Sequence, residues 1–225
     1  MRLLLLRHGQ TPANVAGILD TAAPGPGLTP LGVRQAEAVV TALSGVAIDR
    51  LYVSRLRRTH ATVAPLARDR GLEPTELPGI HEIEAGHLEG RSDRAAVGEY
   101  LETAFAWASG DDLRAMPGTE SGGEFFARFD ADVARITADV GPDGTALVVS
   151  HGAAIRVWTA RRVRLPGDRD DPAHLENTGL VVVEGTRGSG WEATSWSGAP
   201  VGGAHLSDRH DHDVTGEYDV EDVTK

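Results

Sequence analysis

Three short apolar runs, each ending in a polar and partly basic segment, alternate with stretches of helical period. That pattern predicts an α/β fold, a three-layer sandwich with a mostly parallel sheet flanked by helices. The runs are residues 3–6 before Arg7-His8-Gly9, 51–53 before Ser54-Arg55-Leu56-Arg57-Arg58, and 145–149 before Ser150-His151-Gly152. They are apolar throughout rather than alternating, which marks strands covered on both faces.

Taken in order, residues 3–6 are four leucines closed by charge, the first strand. Thr29-Pro30 reads as an N-cap and first helical residue, and Leu31, Val33, Ala36, Val39, Val40 and Leu43 then recur at helical spacing. Residues 51–53 form a second strand, and 56–70 a helix stopped by Gly71. From 92 to about 140 the chain is mainly helical, punctuated by Gly110, Pro117-Gly118 and Gly122-Gly123, and is read as a helical lid laid over one end of the sheet. A third strand at 145–149 leads into a helix at 153–163, and 180–183 and 191–196 are late strands, the last at a sheet edge. The organisation expected is one domain over 1–200 and an acidic, His-bearing, solvated tail over 201–225 with His205, His210 and His212.

Composition narrows the chemistry. The chain has 225 residues, 40% hydrophobic and 24% charged, enough to bury roughly 70% of its unfolded surface in one core. Cysteine is absent, which removes thiol nucleophiles, disulfides and cysteine-held metals. The only lysine is Lys225, so P-loop and Schiff-base chemistry have no lysine to use. A net charge of −11 opposes general affinity for nucleic acid or an anionic membrane. Four leucines before Arg7 are too few for a signal peptide, and no apolar run approaches the ~18 residues of a membrane span. The expectation is a soluble cytoplasmic protein whose oligomeric state stays open, a homodimer being one option.

Ligands of open α/β sheets bind outside the carboxyl ends of the strands. Here those ends carry two histidines and several arginines, and two of the three lead into helices whose N-termini favour an anion. Arginine, imidazole and helix N-termini together outline a phosphate pocket, so the expected partner is a small phosphorylated metabolite.

The motifs are specific. Leu6-Arg7-His8-Gly9-Gln10-Thr11 resembles the RHG signature of the histidine phosphatase superfamily, which includes phosphoglycerate mutases. In order follow Leu28-Thr29-Pro30-Leu31-Gly32-Val33-Arg34-Gln35-Ala36, Ser54-Arg55-Leu56-Arg57-Arg58-Thr59-His60-Ala61-Thr62, the Glu82-containing stretch from Ile80 to Gly90, Pro117-Gly118-Thr119-Glu120-Ser121, and Val148-Val149-Ser150-His151-Gly152. Each is similar to a family motif, and together they span residues 1–185.

The resemblance implies a phosphoglycerate mutase-like fold and a phosphoric monoester hydrolase that needs no metal or cofactor. It makes His8 the nucleophile that becomes phosphohistidine. Arg7, Arg58 and His151 clamp the phosphoryl oxygens, and Glu82 is general acid and base. Asn14, Thr11 and the Gly152 N–H bind substrate. Physical chemistry agrees: fixed arginine and imidazole donors match the charge spread over a transferring phosphoryl group, and a leaving alkoxide needs a proton. The motif register selects Arg58 over Arg55 and Arg57, and Glu82 over Glu84 and Glu89. His60, His81, His87 and His174 are read as structural or surface residues.

Other functions remain on the table. Mutase-type phosphoryl transfer uses the same residues, but the compact 82–151 segment and the absence of a Trp-Asn pair at 13–14 resemble the phosphatase branch. Val148-x-Ser150-x-Gly152 approaches a nucleophile elbow with Asp168 and His174 downstream, but Val148 replaces its first glycine. A non-catalytic phosphate-binding domain is the third reading, and a metal at His210-x-His212 is weighed against a solvated tail. Departures from the family pattern are the long loop at 21–27, Arg55 in place of Pro, and no recognisable substrate pattern over 92–120; Arg91, Arg94 and Arg114 are candidates for a second anionic group, against a solvated role.

Overall fold

The structure is a computed structural model that describes residues 1–165, 174–186, 188, 190–208 and 213–216. Its frame is a seven-stranded sheet in the order β3-β2-β4-β1-β6-β7-β5. In chain order the strands are β1 (Arg2–Arg7), β2 (Arg50–Val53), β3 (Thr75–Glu76), β4 (Thr145–Ser150), β5 (Val163–Arg164), β6 (Leu180–Thr186) and β7 (Gly190–Ser197). The helices are α1 (Pro12–Ala16), α2 (Pro30–Ala42), α3 (Arg57–Arg70), α4 (Arg94–Ala108), α5 (Gly122–Val140) and α6 (Gly152–Arg162). The sheet is mixed: β1, β2, β3 and β4 pair in parallel, whereas β6 runs antiparallel to both β1 and β7.

The leucine run explains the three layers. Strand side chains alternate between faces. Leu3 and Leu5 therefore enter one core with Ala146, Val148, Phe125, Phe129 and Trp158, while Leu4 and Leu6 enter a second with Leu147, Val149, Val39, Val63 and Leu66. Helices α4, α5 and α6 cover the first face, and α2 and α3 the second. The first core is aromatic, with Phe129 stacked on Trp158 at 5.3 Å between centroids and fully buried. Phe129→Ala should therefore lower the unfolding free energy by about 3–5 kcal/mol. Denaturant titration with an unchanged m-value checks this, and a loss under about 1 kcal/mol would mean that the site can collapse.

Local chemistry sets the ends of the elements. The Thr29 side chain accepts the Gly32 N–H at the start of α2, and Ser121 and Glu124 form a reciprocal capping box on α5. Gly71, at φ 63°, closes α3 in the left-handed region. Gly32 lies so close to the Gln10 backbone that a Cβ would collide with it, which brings the N-terminus of α2 against the loop after β1.

Several sequence expectations change. The segment 92–140, read as a lid, buries Tyr100, Trp107, Phe125, Phe129 and Ile136 in the core shared with the sheet. The two helices are thus built into one layer of the sandwich, because their apolar faces are needed to cover β1 and β4. Strand β7 is not the edge: β5 pairs outside it, so Val163 ends a helix and begins a strand. Short elements α1, β3 and β5 carry no period that a sequence could show. Among the described residues, no helix is long and apolar enough to cross a membrane.

The largest correction concerns the tail. Val201, Leu206 and Val214 are buried, and Gln35 donates through Nε2 to the Leu206 carbonyl at 2.9 Å. Asp213 is buried as well. The described part of 201–225 is therefore anchored by apolar contacts at Val201, Leu206 and Val214 and by a buried carboxylate, while 202–205, with His205, are exposed. His210 and His212, the possible metal ligands, lie outside the described residues, as does Asp168.

Candidate active site

Strand register assembles the site. Arg7 lies opposite Ser150, and Val53 opposite Val149, so the polar segments after β1, β2 and β4 emerge side by side. The His8 N–H donates to the Ser150 carbonyl at 3.0 Å, and the two imidazoles, of His8 and His151, sit 5.2 Å apart edge to face. The Gly9 N–H donates to Thr62 Oγ1 at 2.9 Å, which ties the loop after β1 to α3.

His8 is buried, and its Nδ1 lies 2.8 Å from the Gly9 carbonyl. A carbonyl only accepts, so Nδ1 carries the proton and Nε2 keeps a free lone pair. Burial, followed by the charges of Arg58 and Arg7, pushes the imidazole pKa well below its ordinary value, which favours this neutral form. His151 follows the same logic. Arg58 Nε can only donate to its Nδ1, at 3.3 Å, so the proton sits on Nε2 and is given to Ser54 Oγ at 2.7 Å. Burial, then Arg58, also lowers its pKa well below the usual range.

Glu82 is held at the N-terminus of α6. Its Oε1 accepts the N–H groups of Ile83 and Ala154 at 2.9 and 2.8 Å, and Oε2 that of Ala153 at 3.3 Å. Burial raises its pKa, opposed by those donors and by Arg58 and Arg7. The loop carrying it is braced twice. Ser150 Oγ donates to the Ile80 carbonyl at 2.7 Å, and Arg128 donates to the carbonyls of Gly79, His81 and Glu82 at 2.6, 2.9 and 3.0 Å while pairing with Glu120. Ser150 is thus a buried brace, which removes the nucleophile-elbow reading.

Arg58, nearly fully buried, donates from Nη2 to the Asp20 carbonyl at 2.9 Å and pairs with its carboxylate at 3.3 Å. Arg7, fully buried, makes a two-pronged pair with Asp213. Thr11 caps α1, and Asn14 closes that capping box through Oδ1 while its Nδ2 donates to Asp213 at 3.0 Å.

A small cavity, about 10 Å³, is lined by His8, Thr11, Ala13, Asn14, Ile18, Asp20, Arg58, Glu82, Asp213, Val214 and Thr215. Five of the residues named from sequence meet on it: His8, Arg58, Glu82, Thr11 and Asn14. Arg7, His151 and Gly152 are outside its lining, although Arg7 and Gly152 touch the same 213–216 segment. Ser54, Arg128, Asp20 and Asp213 were not found by sequence reasoning, since their partners lie far away in the chain and share no spacing. The rival glutamates have other partners: Glu84 binds Arg55 and Thr119, and Glu89 binds Thr21. Of the arginines considered for a second anion, Arg91 pairs with Asp93, and Arg114 with Glu102. The long loop at 21–27 packs on α3, where the Pro24 carbonyl accepts the Arg57 N–H at 2.9 Å.

Residues 3–198 match the model of the histidine phosphatase superfamily, branch 1. The chain belongs to that superfamily. It is 34% identical over 171 residues to adenosylcobalamin/alpha-ribazole phosphatase of Escherichia coli, covering 75% of this chain and 82% of that protein. It is 39% identical over 216 residues to PE-PGRS family protein PE_PGRS11 of Mycobacterium tuberculosis; that match covers 89% of this chain but spans only 37% of the longer protein. Its fold matches a mycobacterial glucosyl-3-phosphoglycerate phosphatase with a TM-score of 0.72 and 27% identity, over 88% of this chain and 99% of that one. These likenesses support the enzyme class that the sequence implies for this histidine phosphatase, phosphoric monoester hydrolase.

The buried imidazoles also set a stability trend. His8 and His151 have pKa values well below the ordinary 6.5, and His81 is lowered to about 4 by burial and the charge of Arg128. A depressed folded-state pKa means that the unfolded chain binds more protons below 6.5. The stability these groups contribute is thus complete above that pH and lost as pH falls towards their folded values. Urea midpoints should fall from pH 7.5 to pH 5, and equal midpoints would contradict the burial of these rings as neutral groups.

Proposed function

We propose that this phosphatase hydrolyses a small phosphomonoester in two steps through a phosphohistidine on His8. In the first, His8 Nε2 attacks phosphorus, the ester P–O bond breaks, and Glu82 gives its proton to the departing oxygen. In the second, the Glu82 carboxylate takes a proton from water, the oxygen of that water attacks phosphorus, and the N–P bond breaks to release orthophosphate. Arg7 and Arg58 neutralise the phosphoryl oxygens and the neutral His151 turns its Nε2 proton from Ser54 towards them, while Thr11, Asn14 and the Gly152 N–H complete the cradle.

One observation carries the reading. The Gly9 carbonyl fixes the Nδ1 proton of His8, leaving Nε2 as the basic atom in a cavity shared with Arg58 and Glu82. The opposite pKa displacements of the two groups support their roles, a neutral nucleophile beside a carboxyl inclined to stay protonated.

The test is orthophosphate release, with EDTA present, from a panel of phosphomonoesters. Alpha-ribazole phosphate and glucosyl-3-phosphoglycerate, the substrates in the relatives' names, belong on it. Release that resists EDTA is expected. Isomerisation of 3-phosphoglycerate without release would assign mutase-type transfer instead. Silence in both assays with tight vanadate binding would favour a phosphate-binding domain.

A further inference from the structure

The group that occupies Arg7 is a carboxylate of the chain itself. Asp213 accepts from both Nη atoms of Arg7, the second at 2.6 Å, and from Asn14 Nδ2 at 3.0 Å. A two-pronged guanidinium pair supplemented by an amide donor is the arrangement that recognises a phosphoryl group. The pair is almost completely buried, with side-chain exposures of 0% and 1%.

The seat around it is built. Arg7 Nη2 also donates to Thr215 Oγ1 at 3.1 Å, Arg156 Nη1 to the Thr215 carbonyl at 3.2 Å, and the Leu175 N–H to the Gly216 carbonyl at 2.9 Å. A Cβ on Gly216 would collide with Arg7, and one on Gly152 would press on the Thr215 carbonyl at 2.8 Å. Glycine at both places lets segment 213–216 lie directly on the anion-binding groups. The space that remains, about 10 Å³, suits at most one water molecule and not a phosphoryl group.

We propose that Asp213 is an internal phosphate mimic, so that segment 213–216 autoinhibits the site until a phosphorylated ligand displaces it from Arg7 and Asn14. The inference rests on the proposed function in taking Arg7 and Asn14 as phosphate ligands. Apart from Val214, the segment is held by polar contacts, and those that Arg7 and Asn14 make to Asp213 are ones an incoming phosphoryl group can replace in kind. Ligand affinity is then reduced by the fraction of molecules in which the segment is seated. Release of the carboxylate restores it.

The experiment measures orthophosphate binding by calorimetry to the wild type, to Asp213→Asn, and to a variant lacking residues 209–225. If the segment is seated in nine molecules of ten, both changes tighten orthophosphate about tenfold. Unchanged or weaker binding by folded Asp213→Asn would overturn the proposal and make Asp213 a permanent brace for Arg7. Hydrogen exchange on the wild type needs no variant to fold. Saturating orthophosphate or vanadate should speed exchange of the amides at 214–216, and slower or unchanged exchange would overturn the proposal. Failure of the phosphatase reading looks different, as orthophosphate binding that responds to Asp213→Asn without turnover of any phosphomonoester. No orthophosphate binding by any of the three proteins would overturn the inference itself.

Discussion

His8→Ala is expected to lower phosphatase turnover by several orders of magnitude, on the order of 10⁴–10⁶, with no phosphoenzyme detectable. Removing a nucleophile removes the covalent route, and what survives is only the contribution of the remaining positioning and charge. The size of the effect follows from the surroundings of the ring. Its Nδ1 is committed to the Gly9 carbonyl, and the other imidazole, His151, has both nitrogens engaged by Arg58 and Ser54. Neither group offers a second basic nitrogen at the cavity. Single-turnover kinetics on the folded variant checks this, and near-wild-type turnover would remove His8 from the chemistry.

Glu82→Gln is expected to slow an alkyl phosphate by roughly 10²–10⁴ while orthophosphate binding stays nearly intact. The amide keeps the shape of the carboxyl and can still accept from Ala154 N–H, but it has no proton to give a poor leaving group. With an aryl phosphate whose leaving oxygen needs no proton, the first step should be far less affected. The contrast separates acid catalysis from misfolding, which would slow both substrates. In the wild type, kcat/KM should fall at low pH as His8 becomes protonated, with that limb below 6.5 because its pKa is lowered. It should fall again at higher pH as Glu82 ionises, with that limb above 4.5 because burial raises its pKa. The upper limb should vanish in Glu82→Gln. An equal slowing of the first step with both substrates, or an unchanged upper limb, would count against Glu82 as the acid.

The frame was legible because its signals are local. Residues 3–6 and 145–149 are apolar on both faces of a covered strand, and Thr29-Pro30 announces a helix through capping and a fixed φ. The convergence of the two histidines, His8 and His151, with arginines from the ends of β1 and β2 also followed from strand order, since parallel neighbours place their carboxyl ends together. Selecting Glu82 from three nearby glutamates needed motif register. Its reason is spatial, because only Glu82 meets the amides of Ala153 and Ala154 at the start of α6.

What escaped the sequence is long-range. Arg7 and Asp213 are 206 positions apart, so no spacing relates them, and acidic composition made the tail look solvated. Arg128 and Arg156 belong to no motif, yet one braces the Glu82 loop and the other holds the Thr215 carbonyl. The segment 92–140 looked like a lid because its glycine-rich breaks were visible and its packing partners were not. Burial of Trp107 and Phe125 against the sheet core is a property of the assembled layers.

The most direct test of the account is to trap the phosphoenzyme. The protein is mixed with its best phosphomonoester, quenched at alkaline pH, where an N–P bond survives, and digested for peptide mass analysis. The account predicts one phosphoryl group on the peptide containing His8, lost on acid treatment and absent from His8→Ala. A phosphoryl group on any other residue, or full turnover with His8 never modified, would contradict it.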